Sequence, residues 1–180
     1  MMNDYVKSVL MRYYGKHDTL TFFKAYFTNN TFRFQYALRK CQSSGLSGLY
    51  GKVLWKLNRS RKTIQIHEST KIGYGLYIGH GSLVVVNKTA ILGNNINLSP
   101  FTSIGSNYNQ AAVIGHNVYI GPNVCIVENV RIGNNVTIGA GNVVTKDIPD
   151  NATAVGNYAK VLYYNDPGCF VHRRWDLTSK

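Results

Sequence analysis

A branched apolar residue returns at every sixth position between Ile66 and Val144, with polar or small residues filling the intervals. The series runs Ile66, Ile72, Ile78, then Val86, Leu92, Leu98, Ile104, then Ile114, Ile120, Ile126, Ile132, Ile138 and Val144. Two steps are longer, eight residues from Ile78 to Val86 and ten from Ile104 to Ile114. Four residues after the apolar position comes a second inward candidate: Thr70, Ser82, Ala90, Thr102, Val118, Val124, Val130 or Val136. A period of six is neither the 3.6 of an amphipathic helix nor the two of an alternating strand. It fits short strands joined by sharp corners and stacked as a parallel solenoid around the repeating residue. Asn94-Asn95, Asn117, Asn123, Asn129, Asn134-Asn135 and Gly141-Asn142 supply the corners, because Asn and Gly tolerate positive φ. The ten-residue step inserts about four residues beyond a repeat and predicts a loop on one face, commonly the binding face.

Residues 1–63 change to helical spacing and carry many aromatic side chains. Tyr5, Val9 and Tyr13 with Val6 and Leu10 predict a first helix, broken at Gly15 to Asp18. Thr19 is placed to cap a second helix through Phe27. Asn29-Asn30 breaks it, Thr31 to Gln42 predicts a third, and Leu46 to Leu57 a fourth, with Arg59, Arg61 and Lys62 closing the segment. The chain therefore divides into a helical segment (1–63), the repeat (64–162) and a polar-aromatic tail (163–180) to which the sequence assigns no role.

The net charge of +12 is unevenly spread. Residues 1–65 hold twelve Lys or Arg against Asp4 and Asp18, a net of +10, and the other 115 residues hold +2. The helical segment reads first as a cap over the open end of the solenoid. Its charge also suits peripheral contact with an anionic membrane or an acidic polymer. No nucleic-acid-binding motif accompanies that charge, so nucleic acid is not an expected partner. No run of eighteen apolar residues occurs and the N-terminus lacks a secretory layout, so a cytoplasmic protein is expected, at most peripheral at the inner membrane face. Cys41, Cys125 and Cys169 stand at no metal spacing, and no metal is expected.

Among five histidines, His80 stands out: it lies between Gly79 and Gly81, two positions after an inward Ile and before the irregular eight-residue step. A ring in that setting projects from a corner with room for other molecules to approach. The Ile-Gly-x-x-Val-x repeats and the run from Ile138-Gly139-Ala140-Gly141-Asn142 to Ile148-Pro149 resemble the hexapeptide-repeat acyltransferases. The resemblance implies a left-handed parallel β-helix, mainly β, with a small helical N-terminal segment. Gly75 to Ala90 is similar to the serine acetyltransferase branch, which includes capsule and exopolysaccharide O-acetyltransferases. It implies that His80 is the general base that deprotonates an acceptor hydroxyl as it attacks acetyl-CoA. Imidazole titrates near ~6.5, so a neutral base is available at physiological pH.

Three departures from that branch bear on the acceptor. The aspartate that orients the histidine, fifteen residues earlier, is Gln65 here, leaving Glu68 or a backbone carbonyl as substitutes. The Arg-His pair that binds the amino-acid substrate is Gln110-Ala111, which removes the cation a serine carboxylate would use. The helical domain is also shorter. The expectation is therefore a sugar or polysaccharide hydroxyl as acceptor, with serine O-acetylation and a non-catalytic scaffold as alternatives. By resemblance the protein is a homotrimer. Acetyl-CoA would lie along Gly105, Ser106, Pro122 and Ala140, with Lys146 meeting the nucleotide phosphates. His67 reads as structural and His116 as a solvent-facing corner residue or part of a neighbouring subunit's cleft.

Overall fold

The computed structural model describes residues 2–59, 63–81 and 83–176. Ser82, Arg61 and Lys62, singled out above, lie outside them, as do the last four residues of the tail. Among the described residues the chain forms four helices and fifteen short strands. The helices are α1 (Asp4–Tyr14), α2 (Thr19–Thr28), α3 (Asn30–Cys41) and α4 (Gly45–Arg59). The α2 cap is Asp18, one residue before the expected Thr19: its carboxylate accepts from the Thr21 amide at 2.9 Å.

The strands wind through three faces. The first holds β1 (Ile64–Ile66), β4 (Val84–Val86), β7 (Ser103–Gly105), β10 (Cys125–Val127) and β13 (Val143–Val144). The second holds β2 (Lys71–Ile72), β5 (Ile91–Leu92), β8 (Val113–Ile114) and β11 (Arg131–Ile132). The third holds β3 (Tyr77–Ile78), β6 (Asn97–Leu98), β9 (Tyr119–Ile120), β12 (Thr137–Ile138) and β14 (Thr153–Val155), with β15 (Lys160–Tyr163) added antiparallel at its edge. All other pairings are parallel and join equivalent residues of successive coils: Ile66 to Val86 to Ile104, Ile72 to Leu92 to Ile114, Ile78 to Leu98 to Ile120. The six-residue series is thus one apolar residue per face, and every member is buried. The second inward positions Thr70, Ala90, Thr102, Val118, Val124, Val130 and Val136 are buried as well.

The corners follow the chemistry of positive φ. Asn95, Asn117, Asn135 and Asn151 sit at φ 55–62° on the edge between the second and third faces. Their amides form a ladder along the solenoid, Asn95 donating to Asn117 at 3.1 Å, Asn117 to Asn135 at 3.0 Å and Asn135 to Asn151 at 2.9 Å. The expected corner at Asn129 is instead taken by Glu128, at φ 61°.

The first coil has no coil before it, so its outward backbone groups would be an open sheet edge. Side chains of α1 and α3 satisfy them. The Tyr13 hydroxyl donates to the Ile78 carbonyl at 2.8 Å and accepts from the Ile78 amide at 3.0 Å. Ser8 Oγ accepts from the Gly75 amide at 2.9 Å. The Arg39 guanidinium, stacked 4.6 Å from the Tyr5 ring, donates to the carbonyls of Ile72 (2.7 Å) and Gly73. Gln42 donates to Glu68 and Thr70 carbonyls at 3.0 and 3.1 Å. Burial lowers the Arg39 pKa to about 10, which leaves a cation at neutral pH.

The tail, unassigned by sequence, runs back from the last coil toward α1. Asn97 donates to the Phe170 carbonyl at 3.0 Å, and the Trp175 amide donates to Asn95 at 2.7 Å. Arg12 donates to both the His172 carbonyl and Asn97, and Arg173 donates to the Tyr13 carbonyl at 2.8 Å. Segments about 160 residues apart in sequence are thereby clamped on the same helix.

Candidate functional site

The edge between the third and first faces carries His80. Tyr77–Ile78 ends in a single turn, Gly79–Gly81, in which His80 adopts φ 54° and ψ 2°. The ring is exposed, and among the described residues it has no hydrogen-bond partner. Gly81 makes the turn possible twice over: its φ is +60°, and a Cβ there would meet Thr31 Oγ1 of α3 at 2.1 Å. The helical segment therefore presses on the turn from behind and the imidazole faces outward.

Gln65 lies on the first face, where cross-strand register sets it in one row with Val85, Ser103, Cys125 and Val143. It is exposed, and no hydrogen bond joins it to His80 within the chain. Pro122 and Ala140 lie on the same edge as His80, one coil apart, both exposed. The Pro122 carbonyl accepts from the Gly141 amide at 2.9 Å, so it already serves the stack. Gly105, Ser106 and Lys146 lie on the opposite edge of the first face. Ser106 Oγ donates to Glu128 at 2.7 Å. That bond, with the Asn107 amide, holds the Glu128 carboxyl below its usual range. Gly105 has no positive φ, and a Cβ there would meet nothing within 4 Å. Neither strain nor packing requires glycine at that position, which leaves room for close approach by another molecule. All the expected residues thus border the first face. A groove of about 540 Å³ opens on that face under α4, lined by Trp55, Gln65, His67, Glu68, Val85 and Lys88 among others.

The other two histidines of the repeat are engaged. His116 Nδ1 accepts from the Asn94 amide at 2.9 Å, while its own amide donates to Asn134 at 2.8 Å. It is a rung in a second corner ladder, which the sequence did not disclose because histidine there stands in for asparagine. His67 Nδ1 contacts Ser69 Oγ at 2.8 Å and accepts from the Ser69 amide at 3.1 Å, a local structural role. Sequence reasoning missed Tyr13, whose hydroxyl grips the strand leading into His80. No motif marks it, since its partners lie sixty-five residues away.

Fold and corner chemistry define a parallel β-helix built on a six-residue repeat. Residues 111–146 match the family described as bacterial transferase hexapeptide (six repeats). The serine acetyltransferase of Helicobacter pylori (strain ATCC 700392 / 26695) is 30% identical over 115 residues, covering 62% of this chain and 67% of that protein. Mitochondrial serine acetyltransferase 3 of Arabidopsis thaliana is 39% identical over 103 residues, covering 55% of this chain and 26% of that protein. The serine acetyltransferase of Neisseria gonorrhoeae, solved in complex with serine, superposes with a TM-score of 0.71 at 30% identity, covering 88% of this chain and 67% of that one. The chain belongs to the hexapeptide-repeat transferases, in their serine acetyltransferase-like branch. It spans about a quarter to a half of the first two curated relatives, 26% of the Arabidopsis thaliana protein and 48% of the one from Synechococcus elongatus.

Proposed function

We propose that this chain is an acetyl-CoA-dependent O-acetyltransferase with His80 as general base. The observation that carries the reading is the exposed imidazole, held at positive φ between two glycines, in a chain of this family. The imidazole takes the proton of an acceptor hydroxyl as its oxygen forms a bond to the thioester carbonyl carbon. The tetrahedral intermediate then collapses, the C–S bond breaks, and the leaving thiolate recovers the proton from the imidazolium. Gln65 is assigned to orient the acceptor or the ring without supplying charge. Coenzyme A is assigned to the borders of the first face, at Gly105, Ser106, Pro122, Ala140 and Lys146. The free carbonyl lone pair and ring of Pro122 are its only means of contact there, since it has no N–H. Assembly as a homotrimer belongs to the same proposal.

The comparisons favour L-serine as acceptor, because the relatives are named for it and one structure holds it. The sugar hydroxyl expected from the sequence draws no support from them. One observation keeps it as a second reading. The Gln110 amide donates to the Thr89 and Ala111 carbonyls at 2.5 and 3.0 Å, and Ala111 is buried, so neither offers a charge to a carboxylate. The test is release of coenzyme A from acetyl-CoA by wild type and His80→Ala, with L-serine, sugars and nucleotide sugars as acceptors. Acceptor-dependent turnover should fall ~10²–10⁴-fold in the variant. Undiminished turnover in His80→Ala would remove the base from this position. Absence of acetyl-CoA binding by wild type would leave only a scaffold.

A further inference from the structure

Helix α4 is turned the opposite way from what its composition suggests. Its buried positions among residues 45–57 are Gly48, Gly51 and Trp55, the stripe spaced at three and four residues that faces α3. The approach is close: a Cβ on Gly51 would meet the Lys40 carbonyl carbon at 2.2 Å, and one on Gly48 the Ser43 oxygen at 2.2 Å. Trp55 packs on the Phe34 ring at 5.0 Å. Leu54 packs partly on the core, but four large apolar residues are left on the outer side: Leu46, Leu49, Tyr50 and Val53 are 87, 63, 53 and 54% exposed. They stand at i, i+3, i+4 and i+7, a single helical face. A contiguous outward apolar face of this kind marks a binding surface.

The charge around it selects the occupant. The described part of the helix carries Lys52 and Lys56 and no acidic residue, within a segment of net +10. The segment's two carboxylates are already used, Asp4 opposite Lys7 at 3.6 Å and Asp18 as the α2 cap. A second copy of this face would bring cations against cations, which disfavours self-pairing. An anionic bilayer answers both features, apolar side chains entering the headgroup boundary and lysines meeting lipid phosphates. Helix α2 repeats the pattern with exposed Leu20, Phe23 and Phe27 beside Lys24. No helix of the described residues is long and apolar enough to cross a membrane, so the contact is peripheral.

We propose that the outer face of α4 docks this protein on the surface of a bilayer containing anionic lipid. The proposal is independent of the acetyl-transfer reading. It is tested by co-sedimentation of the full chain with vesicles of phosphatidylcholine alone or mixed with phosphatidylglycerol, at low and high salt. Wild type should pellet with the anionic vesicles and be released by salt. Leu49→Ser with Val53→Ser should lose at least ~10-fold in partitioning, by the loss of buried apolar groups. Each of Lys52→Gln and Lys56→Gln should lose roughly fivefold. Because all four side chains point outward, circular dichroism and thermal unfolding of the variants should match wild type. Wild type that fails to pellet, or serine variants that pellet undiminished, would overturn the proposal. So would serine variants that change only the oligomeric state in solution, which would assign the face to a second copy.

Discussion

Replacing Tyr13 by Phe deletes one oxygen atom at the junction of α1, α3 and β3. That hydroxyl donates to the Ile78 carbonyl (2.8 Å) and accepts from the Ile78 amide (3.0 Å) and from Gln35 Nε2 (3.1 Å). A hydroxyl has one donor and two acceptor sites, so all are filled. The ring is retained, so no large cavity opens, and the cost is the stranding of three polar groups. Ile78 and Gln35 are each only 1% exposed, and water has little access to replace the lost partner. At about 1 kcal/mol for a lost bond, and up to ~3 kcal/mol for a stranded buried group, we expect a loss of roughly 2–4 kcal/mol. Tyr14→Phe is the control, removing an acceptor with one partner, Asn29 at 3.2 Å, and should cost under about 1 kcal/mol. Urea unfolding followed by circular dichroism, at one fixed protein concentration, measures both. Burial pushes the Tyr13 phenol well above its ordinary value of 10.0. A pKa raised in the folded state gives stability that is complete below the ordinary value and is lost as pH rises beyond it. Wild type should therefore weaken above about pH 10 by a component absent from Tyr13→Phe. Equal costs for the two Phe variants, or matching alkaline profiles, would refute the assignment of Tyr13 as the peg of the first coil.

Two further outcomes test the edges of the solenoid. Asn117 combines φ 56° with two rungs of the amide ladder. Asn117→Ala should cost roughly 2–4 kcal/mol, from left-handed strain plus lost bonds, whereas Asn117→Gly removes only the bonds and should be milder; an alanine variant as stable as the glycine one would contradict this. Glu128 pins the insertion loop through Ser106 and Asn107, with its carboxyl held below the ordinary 4.5. A lowered carboxyl pKa gives order that is present above that value and lost as pH falls below it. Hydrogen-exchange protection at Ser106 to Gln110 should therefore drop in acid and be low at every pH in Glu128→Gln; protection that ignores both changes would remove Glu128 from this role.

What could be read from the sequence was periodic. One inward residue per face repeats so regularly that the spacing alone fixes the register of the coils and marks the loop in the ten-residue step. Corner placement was legible where asparagine occupies it and failed at Glu128, because the register of the coils puts the left-handed position there and leaves Asn129 one residue past it. The helical boundaries were legible to within about two residues, the largest miss being the end of α4, expected at Leu57 and found at Arg59. The facing of α4 was not: apolar periodicity selects the Leu and Val stripe, while the close approach of α3 at Gly51 and of the preceding turn at Gly48 leaves no room for a side chain. The tail was illegible because its contacts run from Arg12, Asn95 and Asn97 to its own backbone, and a backbone carbonyl leaves no mark in a sequence.

The contrast between two edges of the same prism argues for where chemistry resides. Each edge must turn the chain sharply, and positive φ recurs at both. Between the second and third faces the turn falls to Asn95, Asn117, Asn135 and Asn151, which meet the geometry at low strain and recover energy through their ladder. Between the third and first faces it falls to His80, Leu83 and Phe101 before reverting to Asn123 and Gly141. A left-handed conformation at a bulky residue costs roughly 1–2 kcal/mol. The ring of His80 and the side chains of Leu83 and Phe101 are exposed, so burial does not offset that cost. An edge shaped for stability alone would carry asparagine in all these places. Two of these three bulky residues, His80 and Leu83, flank the turn of the first coil that Tyr13 holds through Ile78 and that Thr31 abuts at Gly81, and strain kept at an exposed imidazole supports the proposal that His80 is the reacting group.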